Sequence, residues 1–179
     1  MELSFHQRQF GSSMQHVSRH RVEVLCLQSL NCRRNRLSRL EGYSPVLGPV
    51  SPAGKVMVRI YIRHNVRFSA SPNDTGPTSG YSCGVRVRVQ EQPDCTILSC
   101  YTPETCTSFD WLKELGGNGR CLVTGDFNVR DSSWERNYES SSPTPTAQID
   151  DSVFIVLNDG SFTRIPDRSD HRPSALDLT

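Results

Sequence analysis

Two side chains at the end of one apolar stretch have the types and the spacing for hydrolytic chemistry. The stretch 121–124 runs directly into Gly125-Asp126-Phe127-Asn128. In a β-strand, alternation puts Asp126 and Asn128 on one side and turns Phe127 into the core. A carboxylate beside an amide can hold a water, with the carboxylate as base and the amide as orienting group. The alternative is a turn in which Asp126 and Asn128 cap the following loop.

Other residue types that carry chemistry do not form a site in the sequence. The seven cysteines include no Cys-x-x-Cys pair, which argues against zinc. Cys26, Cys100 and Cys121 lie in apolar runs, where we expect small buried hydrophobes. Ser169-Asp170-His171 is a run of neighbours whose side chains point different ways in an extended segment. It therefore does not predict a Ser/His/Asp hydrolase, and we interpret it as a coincidence in a loop.

The elements that must position Asp126 and Asn128 are mostly strands. Short apolar runs and period-two alternation predict strands, and Ser, Gly and Pro clusters predict loops. The predicted elements are strands at 22–28, 55–63, 85–89, 95–101, 121–124 and 175–179, a helix at 107–115, an exposed basic segment at 32–39, and loops at 42–54, 69–80 and 139–147. We expect a poorly defined segment at 1–21 and one mixed α/β layered domain at 22–179.

Composition narrows the class of protein without choosing a function. The chain has 179 residues, of which 35 % are hydrophobic and 22 % charged, and no apolar run is long enough to cross a membrane. The N-terminus lacks the pattern of a secretory signal, so we expect an intracellular protein. Residues 1–90 hold 13 basic and 4 acidic residues, and residues 91–179 hold 7 and 15. Either the two halves neutralise each other, or the acidic half binds a metal and the basic half a polyanion.

Six short blocks then occur in an order that is informative as a set. They are Val-Leu-Cys-Leu-Gln at 24–28, Ser-Pro-Ala-Gly-Lys-Val at 51–56, Leu-Ser-Cys-Tyr-Thr-Pro-Glu at 98–104, Gly-Asp-Phe-Asn at 125–128 with Trp134 following, Leu-Asn-Asp-Gly-Ser-Phe-Thr-Arg at 157–164, and Ser-Ala-Leu-Asp-Leu-Thr at 174–179. In these blocks the chain resembles the apurinic-endonuclease-like endonuclease domain of non-LTR retrotransposons, within the endonuclease/exonuclease/phosphatase superfamily.

The resemblance implies a four-layered α/β sandwich of two packed sheets flanked by helices. It also implies a Mg²⁺-dependent (or Mn²⁺-dependent) endonuclease that nicks target DNA and leaves a 3′-hydroxyl to prime reverse transcription. By that resemblance Asp126 would activate the attacking water and Asn128 would hold the water or the phosphate. Tyr101 would lie near the phosphate, and Asp177 would orient a catalytic histidine.

The sequence departs from the family pattern at three places. Ser29 occupies the position of a metal-binding glutamate, and a hydroxyl is a poor substitute for a carboxylate on a hard cation. A first strand with a Trp-Asn pair has no counterpart before Val22, and the closing Ser-Asp-His block would lie beyond Thr179. We therefore expect a fold that is incomplete at both ends, truncated at the C-terminus and impaired in activity. The alternatives are a catalytically dead remnant that binds nucleic acid and a phosphatase of the same superfamily.

The expected partner is DNA. Arg59, Arg86 and Arg88 alternate along predicted strands, so we expect exposed guanidinium groups that could contact phosphates. The alternative is a solvated sheet edge. Trp134 could contact DNA or cover the core. We expect a monomer that is nuclear if functional, with no membrane partner, and element RNA as a partner only through a downstream reverse transcriptase.

Overall fold

In the part of the chain that the structure describes, β-strands predominate, and the helical segments among them are short. The computed structural model describes residues 17, 21–37, 39–71, 80–88, 92–103, 108–116, 119–128, 155 and 157. The strands are β1 (Val24–Leu27), β2 (Cys32–Arg33), β3 (Tyr43–Leu47), β4 (Lys55–Val56), β5 (Arg59–Arg63), β6 (Phe68–Ser71), β7 (Tyr81–Val87), β8 (Cys95–Tyr101) and β9 (Arg120–Asp126). A 3₁₀-helix covers Arg34–Arg36, and the helix α1 covers Trp111–Gly116. Within these residues, no helix has the length and apolar character that a bilayer span requires.

The strands form two main sheets and one small ribbon. The three-stranded sheet has the order β1-β5-β3 and is antiparallel, while β2 and β4 form the ribbon. The four-stranded sheet has the order β6-β7-β8-β9. In that sheet β8 and β9 are parallel, and the other pairs are antiparallel. A parallel neighbour needs a crossover connection, and α1 lies in the connection from β8 to β9.

The main core lies between the two sheets. It contains Ile60 and Ile62 from β5 and Cys83, Val85 and Val87 from β7. These positions alternate along each strand, so one face of each sheet is apolar and packs against the other. Apolar surface removed from water in this interface stabilises the fold by about 25 cal/mol per Å².

A second core covers the outer face of the four-stranded sheet. Leu98 and Cys100 of β8 pack there against Phe109 and against Leu112 and Leu115 of α1. A third cluster, on the outer face of the three-stranded sheet, packs Tyr61 against Val17, Leu40 and Tyr43. The described residues thus confirm a mixed α/β fold, in which two sheets pack together and α1 packs on one of them. The four-layered sandwich with helices on both outer faces stays a prediction.

The prediction of a loop at 42–54 is wrong for the first half of this range. Tyr43–Leu47 forms β3, which pairs with β5 at the edge of the three-stranded sheet. Pro45 weakened the strand signal, but a proline is tolerated on an edge strand because its missing N–H can face away from the ladder. The strand predicted at 55–63 is two strands, since the ladder breaks at Met57 and Val58, whose carbonyls accept from Leu30 and Gly48.

The other predicted elements occur in the structure, but some of them begin or end a few residues from the predicted positions. The strand at 95–101 is confirmed as β8, those at 22–28 and 121–124 as β1 and β9, and the helix at 107–115 begins at Trp111. β6 includes 69–71 of the predicted loop at 69–80, and β7 starts four residues before the predicted strand at 85–89. Residues 139–147 and 175–179 lie outside the described residues.

Gly125 permits the close approach of β9 to β8. A Cβ atom at this position would lie 2.3 Å from the carbonyl oxygen of Cys100. We predict that Gly125→Ala lowers the free energy of unfolding by about 2–3 kcal/mol, because backbone atoms must move apart. Gly42→Ala is the contrast: Gly42 has φ +79° with open space around it, so only backbone strain of about 1 kcal/mol applies. Urea denaturation measures both, and an equal loss would contradict a steric role for Gly125.

The buried thiols predict how stability depends on pH. Burial raises the pKa of Cys26 and of Cys83 to about 12, whereas an unfolded thiol titrates near 8.5. The folded chain holds these protons more tightly than the unfolded chain does. The free energy of unfolding therefore keeps its full value below about pH 8.5 and falls as pH rises toward 12. We expect a loss of up to roughly 2 kcal/mol per thiol at pH 10. Melting temperatures recorded from pH 7.5 to 10 measure this loss of stability. The variant Cys83→Ala should reduce the slope of melting temperature against pH. An unchanged slope would refute the prediction.

Candidate functional site

Three strands end at one edge of the two packed sheets. β1 of the three-stranded sheet leads into Gln28 and Ser29, and the parallel strands β8 and β9 end in Tyr101 and Asp126, which face each other across the ladder. The Gln28 side-chain amide donates to Ser99 Oγ at 2.9 Å and ties the end of β1 to β8. Residues that are far apart in the sequence therefore meet at this edge.

Asp126 is the centre of this cluster. Its Oδ2 accepts a hydrogen bond from the hydroxyl of Ser29 at 2.6 Å, and its Oδ1 accepts one from the backbone N–H of Asn128 at 3.3 Å. A hydroxyl on a carboxylate at this distance is a strong, charge-assisted hydrogen bond. Both carboxylate oxygens are therefore engaged by the chain itself.

Two unusual backbone conformations bring these partners to the carboxylate. Ser29 has φ +53° and Asn128 has φ +48°, in the left-handed region that few non-glycine residues adopt. Asparagine tolerates this region well, but a serine there costs energy that the surrounding structure must supply. Each residue turns the chain sharply, Ser29 two residues after β1 and Asn128 two residues after β9, and both side chains remain exposed.

Asn128 is fixed by a short network around Thr102. Its side-chain Nδ2 donates to the Thr102 carbonyl at 2.8 Å. Thr102 is fully buried, its N–H donates to the Asp126 carbonyl at 2.9 Å, and its hydroxyl donates to the Phe127 carbonyl. The amide nitrogen of Asn128 is thus occupied by the chain, and its amide oxygen is the atom that could contact a water.

The predicted position of Phe127 in the core is confirmed. Phe127 packs into the cluster under α1, with its ring centroid 5.7 Å from that of Phe109 in an edge-on arrangement. Asn128 lies beyond the end of β9 and contacts Asp126 through its backbone N–H, while its side chain bonds to Thr102. The alternative interpretation holds as well, because the bond from the Asn128 N–H to the Asp126 carboxylate is that of a capped turn.

Tyr101 lies beside Asp126 in the ladder between β8 and β9. It is half-buried against the core between the sheets, and its ring centroid is 6.3 Å from that of Tyr81 on β7. Asp177 and Trp134, which the sequence also suggested as site residues, lie outside the described residues, as does Ser169-Asp170-His171.

The described residues supply only part of a site for the Mg²⁺ that the resemblance implies. Among them no three His, Cys, Asp or Glu side chains come together. Asp126 is the one carboxylate in the cluster described above, and Ser29 binds it from the position where a glutamate was expected. Mg²⁺ requires charged oxygen ligands or several retained waters in octahedral geometry, so this cluster would need at least one further ligand.

The three predicted DNA-contacting arginines do not lie together. Arg59 was expected to be exposed, and this is wrong: it is 5 % exposed, with its Cζ 4.1 Å from the centroid of the Tyr61 ring. Burial lowers the pKa of Arg59, and stacking on the aromatic face compensates part of its lost hydration. Arg86 and Arg88 are exposed as expected, but they lie at the opposite end of β7 from Tyr81, which pairs with Tyr101.

Sequence reasoning did not assign Gln28 and Thr102 to the site. Both occur in the quoted blocks at 24–28 and 98–104. A signal was present, since Gln28 ends the predicted strand at 22–28 and Thr102 directly follows the predicted strand at 95–101. Their roles are positional: Gln28 holds the segment that carries Ser29, and Thr102 holds Asn128.

The expected cysteine environments are partly confirmed. Cys100 is fully buried, while Cys26 and Cys121 are half-buried. Burial raises the pKa of Cys121 to about 11. These thiols are packing groups in the cores, not candidates for nucleophilic chemistry at the site.

Comparison with known proteins shows likeness in structure only. No family model matches the chain, and no curated protein matches its sequence. Among solved structures, the endonuclease domain of TRAS1, a telomere-specific non-LTR retrotransposon, superimposes with a TM-score of 0.65 at 14 % identity, over 85 % of this chain and 69 % of that one. ANGEL2, a 2′,3′-cyclic phosphatase, gives a TM-score of 0.54 at 13 % identity, over 70 % of this chain and 44 % of that one. The chain therefore has the fold of the endonuclease/exonuclease/phosphatase superfamily, as the resemblance predicted.

Proposed function

We propose that this chain is the endonuclease domain of a non-LTR retrotransposon, a Mg²⁺-dependent hydrolase of DNA phosphodiesters whose activity is impaired. The observation that carries the proposal is the cluster of Asp126, Asn128, Tyr101 and Ser29 at the strand edge. The likeness to a retrotransposon endonuclease supports a nucleic-acid substrate, and the likeness to a phosphatase supports phosphoester hydrolysis as the class of reaction.

The site residues could divide the reaction among them. Asp126 accepts a proton from a water that the amide oxygen of Asn128 orients. The water oxygen attacks phosphorus, the bond from phosphorus to the 3′-oxygen breaks, and that oxygen takes a proton from solvent water to leave as a 3′-hydroxyl. The new 5′-phosphate departs, and Asp126 returns the proton it accepted to the solvent. The phenol of Tyr101, next to Asp126 in the ladder, can donate a hydrogen bond to a phosphate oxygen where negative charge develops.

Ser29 explains the proposed impairment. Its hydroxyl donates to one carboxylate oxygen of Asp126, which leaves fewer lone pairs on that carboxylate to accept a hydrogen bond from the attacking water. It also supplies no charge where the resemblance implies a carboxylate. Water activation and charge neutralisation are thus both weakened by one side chain.

Restoring a carboxylate at position 29 tests this explanation. We predict that the wild-type chain nicks supercoiled plasmid very slowly in millimolar Mg²⁺ or Mn²⁺. Ser29→Glu should nick at least about tenfold faster, a gain that requires only about 1.4 kcal/mol less barrier. Two adjacent carboxylates repel each other without a cation, so Mg²⁺ should also raise the melting temperature of Ser29→Glu.

Two variants control this experiment. Ser29→Gln has nearly the same size as Ser29→Glu without its charge, so its nicking rate and melting temperature should respond to Mg²⁺ no more than those of the wild type. Asp126→Asn should abolish any nicking. Fast nicking by the wild type that Asp126→Asn abolishes would refute the impairment while supporting the endonuclease. Hydrolysis of a 2′,3′-cyclic nucleotide without nicking would instead support the phosphatase, the alternative that the likeness to ANGEL2 favours.

A further inference from the structure

The four-stranded sheet ends on one side in β6, an exposed edge strand. Among the residues that the structure describes, β6 pairs with β7 only. Phe68, Ser69 and Ala70 of β6 are exposed, and Ser71 is half-buried. The free side of an edge strand presents backbone N–H and C=O groups with which another strand can pair. We call the side of β6 that faces away from β7 the β6 edge.

The register with β7 identifies the backbone groups that point to the β6 edge. The Arg88 N–H donates to the Arg67 carbonyl at 3.0 Å, just beyond the ladder, where the two residues lie opposite each other. In an antiparallel ladder, residues that bond to the partner strand alternate with residues that do not. Arg67 and Ser69 therefore bond to β7, whereas the N–H and C=O groups of Phe68 and Ala70 point away from it. The β6 edge thus offers two donors and two acceptors to an extended peptide.

The outer face beside the β6 edge carries an excess of positive charge. A hollow of about 230 Å³ on this face has the exposed residues Arg67, Arg86 and Arg88 in its lining. Arg67 and Arg88 face each other, which is unfavourable for like charges. Asp94, the acidic residue of the lining, lies 3.8 Å from Arg88 Nε, but both side chains are exposed, so this ion pair is weak. One carboxylate against three guanidinium groups leaves a surface that favours an acidic ligand.

The two faces of β6 differ in character. Ser69 lies opposite Arg86 on the outer face, whereas Phe68 lies opposite Val87, which packs in the core between the sheets. Ala70 is on the same face as Phe68. Phe68 is nevertheless 36 % exposed and Ala70 is exposed as well, so the core does not cover this face of β6 completely. A strand added at the β6 edge would continue both faces, with one set of its side chains beside the arginines and the other beside apolar surface.

We infer that the β6 edge binds an extended peptide segment of a partner protein, which adds to the sheet as a strand whose residues alternate between acidic and apolar. In this mode of recognition the main-chain hydrogen bonds supply affinity and the alternating side chains supply specificity. Neighbouring strands lie about 4.8 Å apart, and the small side chain of Ser69 leaves open the space between the added strand and Arg86. An acidic residue of the peptide opposite Ser69 therefore meets Arg67 and Arg86, whose guanidinium forks match a carboxylate.

Two other occupants fit the β6 edge less well. A nucleic acid has phosphates for the arginines but no peptide backbone for Phe68 and Ala70. A second copy of this chain, paired symmetrically through β6, would bring two sets of three arginines together, where like charges repel each other. A free strand edge with positive charge on one face therefore favours an acidic peptide.

Binding of designed peptides to the full chain tests the inference. The probe is a fluorescein-labelled peptide of three Val-Glu repeats, titrated by fluorescence anisotropy at low salt. We expect it to bind, and a peptide of three valines followed by three glutamates should bind at least about fivefold more weakly, because its glutamates lie on both faces of a strand.

Two N-methylated versions of the probe test the main-chain pairing. In a strand, the N–H groups of the valines point to one side and those of the glutamates to the other. Methylation of the valine nitrogens should abolish binding if the added strand is antiparallel to β6, and methylation of the glutamate nitrogens should do so if it is parallel. The other methylated peptide should keep its affinity. Equal affinities of the two methylated peptides would overturn the inference.

Matched variants of the chain locate the bound peptide. Ala70→Pro removes an N–H that the ladder with β7 does not use, and it should weaken binding at least about threefold, the effect of one hydrogen bond. Ala70→Val keeps that N–H and should change affinity less than about twofold. Arg67→Gln with Arg86→Gln should weaken binding about tenfold and reduce its salt dependence. Arg120, exposed in the same sheet and bonded to Gln92 at 3.1 Å, is the control, and Arg120→Gln should leave affinity within about twofold.

Three outcomes would contradict the inference. They are absence of binding by the alternating peptide, an unchanged affinity in a folded Ala70→Pro chain, and tighter binding of oligo(dT) than of the peptide, which would assign the surface to nucleic acid. Dimerisation of the chain that Ala70→Pro abolishes would instead assign the β6 edge to a second copy. Thermal melting shows whether each variant folds, and the methylated peptides test the wild-type chain if Ala70→Pro does not fold.

Discussion

The close parallel pairing of β8 with β9 is the contact on which the site depends. Gly125 lets the backbones approach where a side chain would collide with the Cys100 carbonyl. The resulting register places Tyr101 beside Asp126 and carries the chain past Thr102, which bonds to the segment that ends β9. One glycine therefore determines the separation of residues 25 positions apart.

The four-stranded sheet holds the site residues in place because both of its faces are packed near the site. Val85 and Tyr101 lie on the face toward the other sheet, while Leu98, Cys100 and Phe127 face α1. A sheet held on two sides resists bending, so the ends of β8 and β9 are rigid supports. Toward the end of β7, the outward face carries the exposed residues Arg86 and Arg88 instead of apolar residues. This part of the sheet is therefore a charged surface and not a packed one.

Local sequence patterns predicted the strands but not the contacts between distant segments. The alternation in β5 and the apolar run of β8 are local signals that follow from burial on one or both faces. β3 was missed because tertiary pairing with β5 overrides the unfavourable Pro45. The structure places Tyr101 beside Asp126 in the ladder and bonds the Asn128 N–H to the Asp126 carboxylate, while the roles that the resemblance implies for them stay predictions. The bond from Ser29 to Asp126 spans 97 residues, and Arg59 is covered by surroundings that alternation cannot describe. Both require the packed fold.

The hydrogen bond from Gln28 to Ser99 links the two sheets directly beneath the site. Aliphatic side chains resist separation of two sheets, but they discriminate poorly between small offsets because dispersion is not directional. A directional bond at one point fixes the offset. Sliding of one sheet along the other would stretch this bond and, with it, the 2.6 Å contact between Ser29 and Asp126. A change in core packing that slides one sheet along the other would therefore change the contact between Ser29 and Asp126. The solvation of the Asp126 carboxylate would change with it.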